Sequence, residues 1–339
     1  MKTYRVMVIG CGYIGRQHLE DIYYRDNICV EAVADQNPAA ARFAAEKYRA
    51  ARWGTDYRKL LAEARPDIAV IATNADSHLS ILRDCLQAGV HVLCEKPIAR
   101  TLSDAGEFAE LVRRAEACVL VGHILRHNRT FIRAGELIRA GAVGMPLVIR
   151  IVKNQHALDW ARYRRLLRDC LPVTDCGVHY FDIMEWYTGE HITELSGIGA
   201  VTEPDVPEGR YNYTLSAVRL SGGSVGYFEA GWGRSMAQSN VKEFIGPKGR
   251  LVIELAADRG AFREEGDLIT IYHSDTGEYQ SISSRSSYKP MYAQLSHLIA
   301  MIEGRAGANP SMEQVMASHR AADAAARAIY SGQPVRLTG

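Results

Sequence analysis

Several signatures of special chemistry are missing from this chain of 339 residues. Its 7 cysteines include no CxxC pair and its 11 histidines no HExxH, so neither a dithiol centre nor a zinc-hydrolase site is written here, and no catalytic metal is expected. Neither sign of charge prevails. The 40 Lys and Arg stand against 39 Asp and Glu, which provides no electrostatic footprint for nucleic acid or for an anionic membrane. No apolar run is long enough to span a bilayer, no signal-peptide pattern leads into the first strand, and there is no internal repeat, low-complexity stretch or charged tail. Cys11, Cys94 and Cys118 fall in or beside apolar strands, where reduced cysteine serves as a small hydrophobe, so a cytoplasmic location is expected.

What is present begins with Gly10-Cys11-Gly12-Tyr13-Ile14-Gly15. This loop follows an apolar strand, Tyr4-Arg5-Val6-Met7-Val8-Ile9, and leads into a helical pattern from Arg16. Gly10 permits a sharp turn, Gly12 lets backbone approach a pyrophosphate, and Gly15 lets helix and strand pack closely, with the helix's amino end facing the phosphates. Asp35 closes the next apolar strand about twenty residues on, where it can accept hydrogen bonds from a ribose diol and would repel a 2′-phosphate. The expected cofactor is therefore NAD. NADP is the lesser candidate, kept open by Arg42 nearby in sequence.

At 47% hydrophobic, the chain can bury two cores. Apolar runs at 4–9, 29–34, 68–72, 90–94 and 118–121 alternate with helical patterns at 15–25, 38–49, 56–64, 77–88 and 103–116. That alternation predicts an α/β domain over 1–123, a parallel sheet covered on both faces with ligands at the carboxyl ends of its strands. Asn37-Pro38 reads as a helix cap and first-turn proline, and Gly89 as a helix stop. Over 124–339 the pattern changes. Helices at 129–140 and near 174–188 and a strand at 147–153 accompany strands at 192–202, 211–220, 223–231, 240–246, 249–255 and 268–272, and helix returns over 289–331. This predicts a second α/β domain with a large, mostly antiparallel sheet, one face under helices and the other open to a second subunit.

Two groups carry candidate chemistry. Glu95-Lys96-Pro97 follows the fourth strand. Lys96 there either hydrogen-bonds a substrate hydroxyl and stabilises alkoxide character or simply caps a surface loop, and a cis Lys96–Pro97 bond is plausible. Asp175 and His179, if helical, share one face at i,i+4 spacing. His179 can then exchange a hydroxyl proton while Asp175 orients it; equally, the two read as a helix-start acid and a buried histidine satisfied by backbone.

The whole resembles the Gfo/Idh/MocA family, glucose–fructose oxidoreductase, inositol dehydrogenase and their relatives. The likeness runs nearly end to end: Gly10-x-Gly12-x-x-Gly15-x-x-His18, Thr73-Asn74 with His78, Glu95-Lys96-Pro97, Gly122-His123-x-x-Arg126-x-Asn128, Gly144-x-Pro146, Asp175-x-Gly177-x-His179-x-x-Asp182, Gly246-Pro247-Lys248-Gly249 and Ser331-Gly332-x-Pro334-Val335. The resemblance implies a Rossmann domain, then a large-sheet domain, assembly as a homodimer or homotetramer, a nicotinamide cofactor, and a sugar, polyol or cyclitol substrate. It matches Lys96, Asp175 and His179 to catalytic residues and leaves open which of Lys96 and His179 is the base. It matches Thr73, Asn74, His78, Glu95 and Lys96 to cofactor-lining positions, beside Gly10, Gly12, Tyr13, Ile14, Gly15 and Asp35, and Arg126 to a substrate contact.

From the residues themselves, His156 is a candidate for hydroxyl contacts, and Trp160, Tyr163 and Trp232 for stacking on a sugar ring; each reads equally well as core or interface. The chain also departs from the family. Leu171-Pro172-Val173-Thr174 replaces a glycine-rich lead-in, making Thr174 a candidate pocket residue, and His127 stands where many relatives carry an aromatic. The basic run 162–168 reads as a solvated helix face or as a contact for phosphate, carboxylate or a neighbouring subunit. The expected activity is NAD-dependent oxidation of a secondary hydroxyl of a cyclitol or sugar, or the reverse reaction. The alternatives are an NAD-retaining glycoside hydrolase or epimerase of the same family, and a non-catalytic dinucleotide- or sugar-sensing regulator.

Overall fold

The computed structural model describes residues 2–259, 266–287 and 289–337. The chain opens with β1 (Tyr4–Ile9), α1 (Tyr13–Ile22), β2 (Ile28–Ala34), α2 (Pro38–Tyr48), β3 (Arg52–Gly54), α3 (Tyr57–Ala64), β4 (Ile68–Ile71), α4 (Ala75–Gln87), β5 (His91–Cys94), α5 (Leu102–Arg114) and β6 (Val119–Val121). Helix ends follow local chemistry. Asn37 Oδ1 accepts from Ala39 N at 3.0 Å, and Pro38 fills the first turn of α2, where no amide is needed. Gly89, at φ +70°, ends α4 in the left-handed region. The strands form a parallel sheet in the order β3-β2-β1-β4-β5-β6. Connections reverse direction between β1 and β4, the switch point at which such sheets bind ligands. The short strand β3 has no counterpart in the sequence pattern, because three residues make no apolar run.

A 3-10 turn (Ile124–His127) is followed by α6 (Arg129–Arg139), β7 (Val148–His156), α7 (Trp160–Asp169), α8 (Pro172–Thr188), β8 (Ile192–Ala200), β9 (Tyr213–Leu220), β10 (Val225–Gly233), β11 (Lys242–Gly246), β12 (Gly249–Glu254), α9 (Ala256–Arg259), β13 (Asp267–His273) and β14 (Tyr279–Ser284). The chain ends in α10 (Met291–Ile302), α11 (Met312–Ser331) and β15 (Val335–Arg336). The helical stretch expected over 289–331 is thus two helices. The second sheet runs β14-β13-β12-β11-β7-β10-β9-β8-β15 among the described residues, antiparallel except for the β7–β10 pair. Strand β7 extends to His156, three residues beyond its apolar run, because its polar end pairs with Ala230–Gly233 of β10.

Two compact units result. One is the chain through His127 with Lys289–Met316; the other is Asn128 to 287 with Ala317 onward. In the first, alternate residues of the strands fill two cores. Met7, Ile9, Ala69 and Ile71 pack under α3, α4 and α5, whereas Val6, Val8, Val70 and Leu93 pack under α1, α2 and α10. Helix α10 supplies Leu295, Leu298 and Ile299 to that second core, though it lies within 124–339, the range expected for the second domain. In the second unit, α6 and α8 cover one sheet face, and Ile149, Ile151, Phe228, Phe244 and Leu251 point into that core. Gly135 makes room there for Tyr187, whose ring a Cβ would approach to 2.7 Å; the tyrosine hydroxyl donates to Phe131 O at 2.6 Å.

Candidate functional site

The glycine loop sits at the carboxyl end of β1. Gly10 takes φ +95°, and a Cβ there would lie 2.5 Å from Ala72 O on the neighbouring strand end. A Cβ on Gly15 would overlap the Gly10 carbonyl, so helix and loop touch backbone to backbone. Gly12 differs. A Cβ there meets nothing within 4 Å, so no protein atom demands this glycine, and the open space is what a close-approaching pyrophosphate needs. No side chain caps α1, which begins on Gly12. Tyr13 is exposed and Ile14 half-buried beside it. Asp35, at the end of β2, accepts Cys11 N at 2.7 Å and Asn37 N at 2.8 Å, which fixes the carboxylate against the loop. Arg42 pairs with Glu46 at 2.7 Å on the exposed side of α2. Glycine loop, uncapped helix and fixed carboxylate together fit a dinucleotide.

The next strand ends carry Thr73, Asn74, Glu95 and Lys96. Thr73 Oγ1 accepts from Ser77 at 2.7 Å, and Asn74 stands exposed at the start of α4. His78 is 1% exposed, with Nε2 3.1 Å from Thr73 O and Nδ1 3.0 Å from Pro97 O. Burial holds its pKa below the usual histidine value, although both carbonyls favour the charged ring. The Lys96–Pro97 peptide is cis. Glu95 is buried against His18 at 2.8 Å. Arg126, buried beyond β6, donates to Asn309 Oδ1 at 3.2 Å. The motif residue Asn128 caps α6, accepting Thr130 N at 2.9 Å and Phe131 N at 3.3 Å.

In the second unit, Asp175 and His179 lie one turn apart on α8, both half-buried. Helix α8 starts two residues earlier than its apolar pattern suggests, at Pro172. Thr174 Oγ1 accepts Leu171 N at 3.0 Å and donates to Leu171 O at 2.9 Å, so this hydroxyl secures the helix start. Cys176 Sγ lies 3.7 Å from Asp175 Oδ2. Beside them, Tyr163 Oη donates to Gln155 Oε1 at 3.0 Å, and burial raises its pKa; Arg162, Cys176, Lys153 and Asp175 all act on it electrostatically. Trp160 and Trp232 sit in a small core with Ala157 and Leu167. Trp160 Nε1 donates to Asp205 Oδ1 at 2.8 Å, and the Trp232 ring lies 5.5 Å from that of Tyr163. Of the two readings for these tryptophans, the buried one describes their position. His156 is exposed on Met236 O at 3.1 Å. Within the basic run, Arg164 reaches Asp205 at 3.8 Å, and Arg162 stacks over Tyr163.

Among the described residues, no group of three or more His, Cys, Asp or Glu is placed to hold a metal, and no helix is long and apolar enough to cross a membrane. The His18–Glu95 pair has one signal in the sequence, the histidine three residues past the glycine loop. Nothing local connects it to a glutamate so far along the chain.

Comparison with known proteins bears on the family and the fold. The model of an oxidoreductase family with an NAD-binding Rossmann fold matches residues 4–123, and that of the Gfo/Idh/MocA C-terminal domain matches 131–252. Myo-inositol 2-dehydrogenase of Thermotoga maritima is 26% identical over 249 residues, 73% of this chain and 74% of that one. D-apiose dehydrogenase of Paraburkholderia graminis is 30% identical over 203 residues, 58% of this chain and 52% of that one, so the match spans about half of that relative. The solved myo-inositol 2-dehydrogenase of Lactobacillus plantarum shares the fold at TM-score 0.84 and 16% identity, over 99% of this chain and 100% of that one.

Proposed function

Since the chain belongs to the Gfo/Idh/MocA oxidoreductase family, we propose that it is an NAD-dependent dehydrogenase that oxidises a secondary hydroxyl of a cyclitol or sugar, or reduces the matching ketone. The observation that carries the cofactor half is the Gly12 gap beside Asp35. Gly10, Gly12, Tyr13, Ile14 and Gly15 would hold the pyrophosphate, Asp35 the ribose hydroxyls, and Thr73, Asn74 and Lys96 the far wall, with His78 and Glu95 keeping their loops in place. A fixed carboxylate favours a ribose diol over a 2′-phosphate, and Arg42 is engaged by Glu46 rather than left to attract that phosphate. NAD, when bound, supplies the hydride acceptor.

The remaining chemistry belongs to the chain's own side chains. His179 takes the proton of the substrate hydroxyl, Asp175 one turn before it stabilises the resulting imidazolium, and Lys96 hydrogen-bonds the oxygen as negative charge builds on it. Asp175, Lys153 and Gln155, near Tyr163, bind ring hydroxyls, while Trp160 and Trp232 back Tyr163 from beneath. Arg126 supports the substrate side through Asn309, and His156 lies at the rim. Assembly as a homodimer or homotetramer through the sheet face not covered by α6 and α8 belongs to the same reading.

A screen of cyclitols, sugars and polyols with NAD and NADP, following absorbance of the reduced cofactor, tests it. Accumulation of NADH with one such substrate is the expected result. Turnover without net NADH would point to a cofactor-recycling hydrolase or epimerase. Tight NAD binding with no turnover of any substrate would point to a sensor.

A further inference from the structure

The residue before Lys96 is bound to a different element from the residue after it. His18 stands on the buried face of α1 with Gly15, Leu19 and Ile22. It is 1% exposed, and its Nε2 lies 2.8 Å from Oε1 of Glu95, itself 8% exposed. Glu95 is tied to β4 by its amide, which donates to Ile71 O at 2.9 Å. Its carboxylate also accepts the backbone N–H of Lys96. Gly122 lies opposite, and a Cβ there would come within 3.0 Å of Glu95 Oε2, so the glycine leaves room for the anion. On the other side, the His78 ring bridges Pro97 O and Thr73 O. The Lys96 loop is therefore held through Glu95 to the helix that starts at the glycine loop and through Pro97 to α4.

A buried carboxylate is costly in free energy, and an apolar pair of similar volume would close this strand end at least as stably. Burial pushes Glu95 towards its neutral form, but the His18 hydrogen bond and the nearby charges of His18 and Lys96 outweigh it and hold the pKa below the ordinary glutamate value. The titratable groups around Glu95 are His18 from α1, Lys96 next in the chain, His78 from α4, the Cys94 thiol and His123, the residue after Gly122. Burial raises the Cys94 thiol well above its usual pKa, so it stays uncharged. Helix α10, which packs on β5, brings His297, whose ring is bonded to Gly307 O.

We propose that the buried His18–Glu95 pair is a positioning device for Lys96: it fixes the lysine's backbone to the helix of the cofactor loop and keeps the side chain in its ammonium form during turnover. Lys96 then donates a hydrogen bond to the reacting oxygen and keeps its own proton, and the hydroxyl proton goes to His179. This rests on the reading that Lys96 serves the reacting hydroxyl. Glu95 and His18 touch neither substrate nor reacting atoms.

The test uses the full chain with NAD and the polyol identified by the screen. The measurements are kcat, KM, the pH dependence of kcat, NAD affinity by quenching of protein fluorescence, and Tm. Glu95→Gln keeps the shape and removes the charge. It is expected to lower kcat roughly 10- to 100-fold and to move the alkaline limb of the kcat profile down by about one pH unit, with NAD affinity changed less than about threefold. His18→Gln, which leaves the carboxylate but removes its imidazole partner, should lower kcat by less and move the limb less than Glu95→Gln does. Gly122→Ala, which crowds the carboxylate without removing it, provides the same readout should Glu95→Gln fail to fold. A lowered Tm with kcat and alkaline limb unmoved would make the pair merely structural and overturn the proposal. Lys96→Met separates the two levels. If it retains the wild-type rate, the reading of Lys96 itself is wrong; if it is inactive while Glu95→Gln behaves as wild type, only the positioning role is wrong.

Discussion

The two units solve the same problem, burying a sheet, in ways that leave different marks. In the first unit both faces of a parallel sheet are covered, so its strands read as nearly continuous apolar runs separated by helices, and element type follows from local pattern. In the second unit, among the described residues, α6 and α8 cover one face of the large sheet, and strands such as β9 alternate buried with more exposed residues, their ends set by partners. The difference extends to chemistry. The first unit offers open backbone, in a loop whose middle glycine meets no protein atom. The second presents side chains, Asp175 and His179 on one helix, supported by Tyr163 and Gln155. On the proposed function, binding by main chain and proton transfer by side chain call for different mutations to disrupt them.

The largest expected effect lies in the second unit. His179→Ala should lower kcat by ~10²–10⁴-fold while NAD affinity stays near wild type. A near-normal rate and pH profile would sink the histidine assignment and the division of labour with it.

Glycine substitutions split the first unit internally. Gly15→Ala forces a methyl into the Gly10 carbonyl and should cost roughly 3 kcal/mol of stability, read as a fall in Tm and in urea midpoint. Gly12→Ala, at φ −69° with open space around its Cβ, should leave stability within about 0.5 kcal/mol yet weaken NAD binding by about tenfold or more. Equal effects of the two on stability would remove the distinction between a packing glycine and a ligand glycine.

A further contrast is pH-dependent. Burial, reinforced by His297, lowers the pKa of His127 from 6.5 to about 4. The folded state therefore binds fewer protons than the unfolded chain between those values. This contribution to stability is complete above pH 6.5 and declines as pH falls towards 4, by up to roughly 3 kcal/mol. Urea midpoints at pH 7.5 and 4.5 should fall further for wild type than for His127→Phe, which has no proton to gain. Parallel losses in both proteins would assign the acid sensitivity elsewhere.

Much of the first unit was legible residue by residue. The helix cap at Asn37, the stop at Gly89 and the runs that became β1, β2, β4, β5 and β6 all depend on neighbours within a few positions. Thr174 shows the opposite. Its place ahead of Asp175 marks a pocket candidate, and the fold also uses its hydroxyl on Leu171, because a helix start offers an unpaired amide. Trp160 and Trp232 were ambiguous for a related reason: an aromatic at a strand or helix end has the same composition whether it faces solvent or a core.

By itself the sequence determined the parallel α/β unit and the glycine loop with its acidic partner, and it named the candidates Lys96, Asp175 and His179, since periodicity and motif spacing are short-range properties of the chain. Tertiary structure alone decided which distant residues meet. Helix α10 returned to cover the first sheet, β7 and β10 paired in parallel inside an antiparallel sheet, and His18 reached Glu95 across 77 positions. The physical reason is that a local pattern specifies which face of an element is apolar or charged, whereas its partner is chosen by which surfaces the folded topology brings into register.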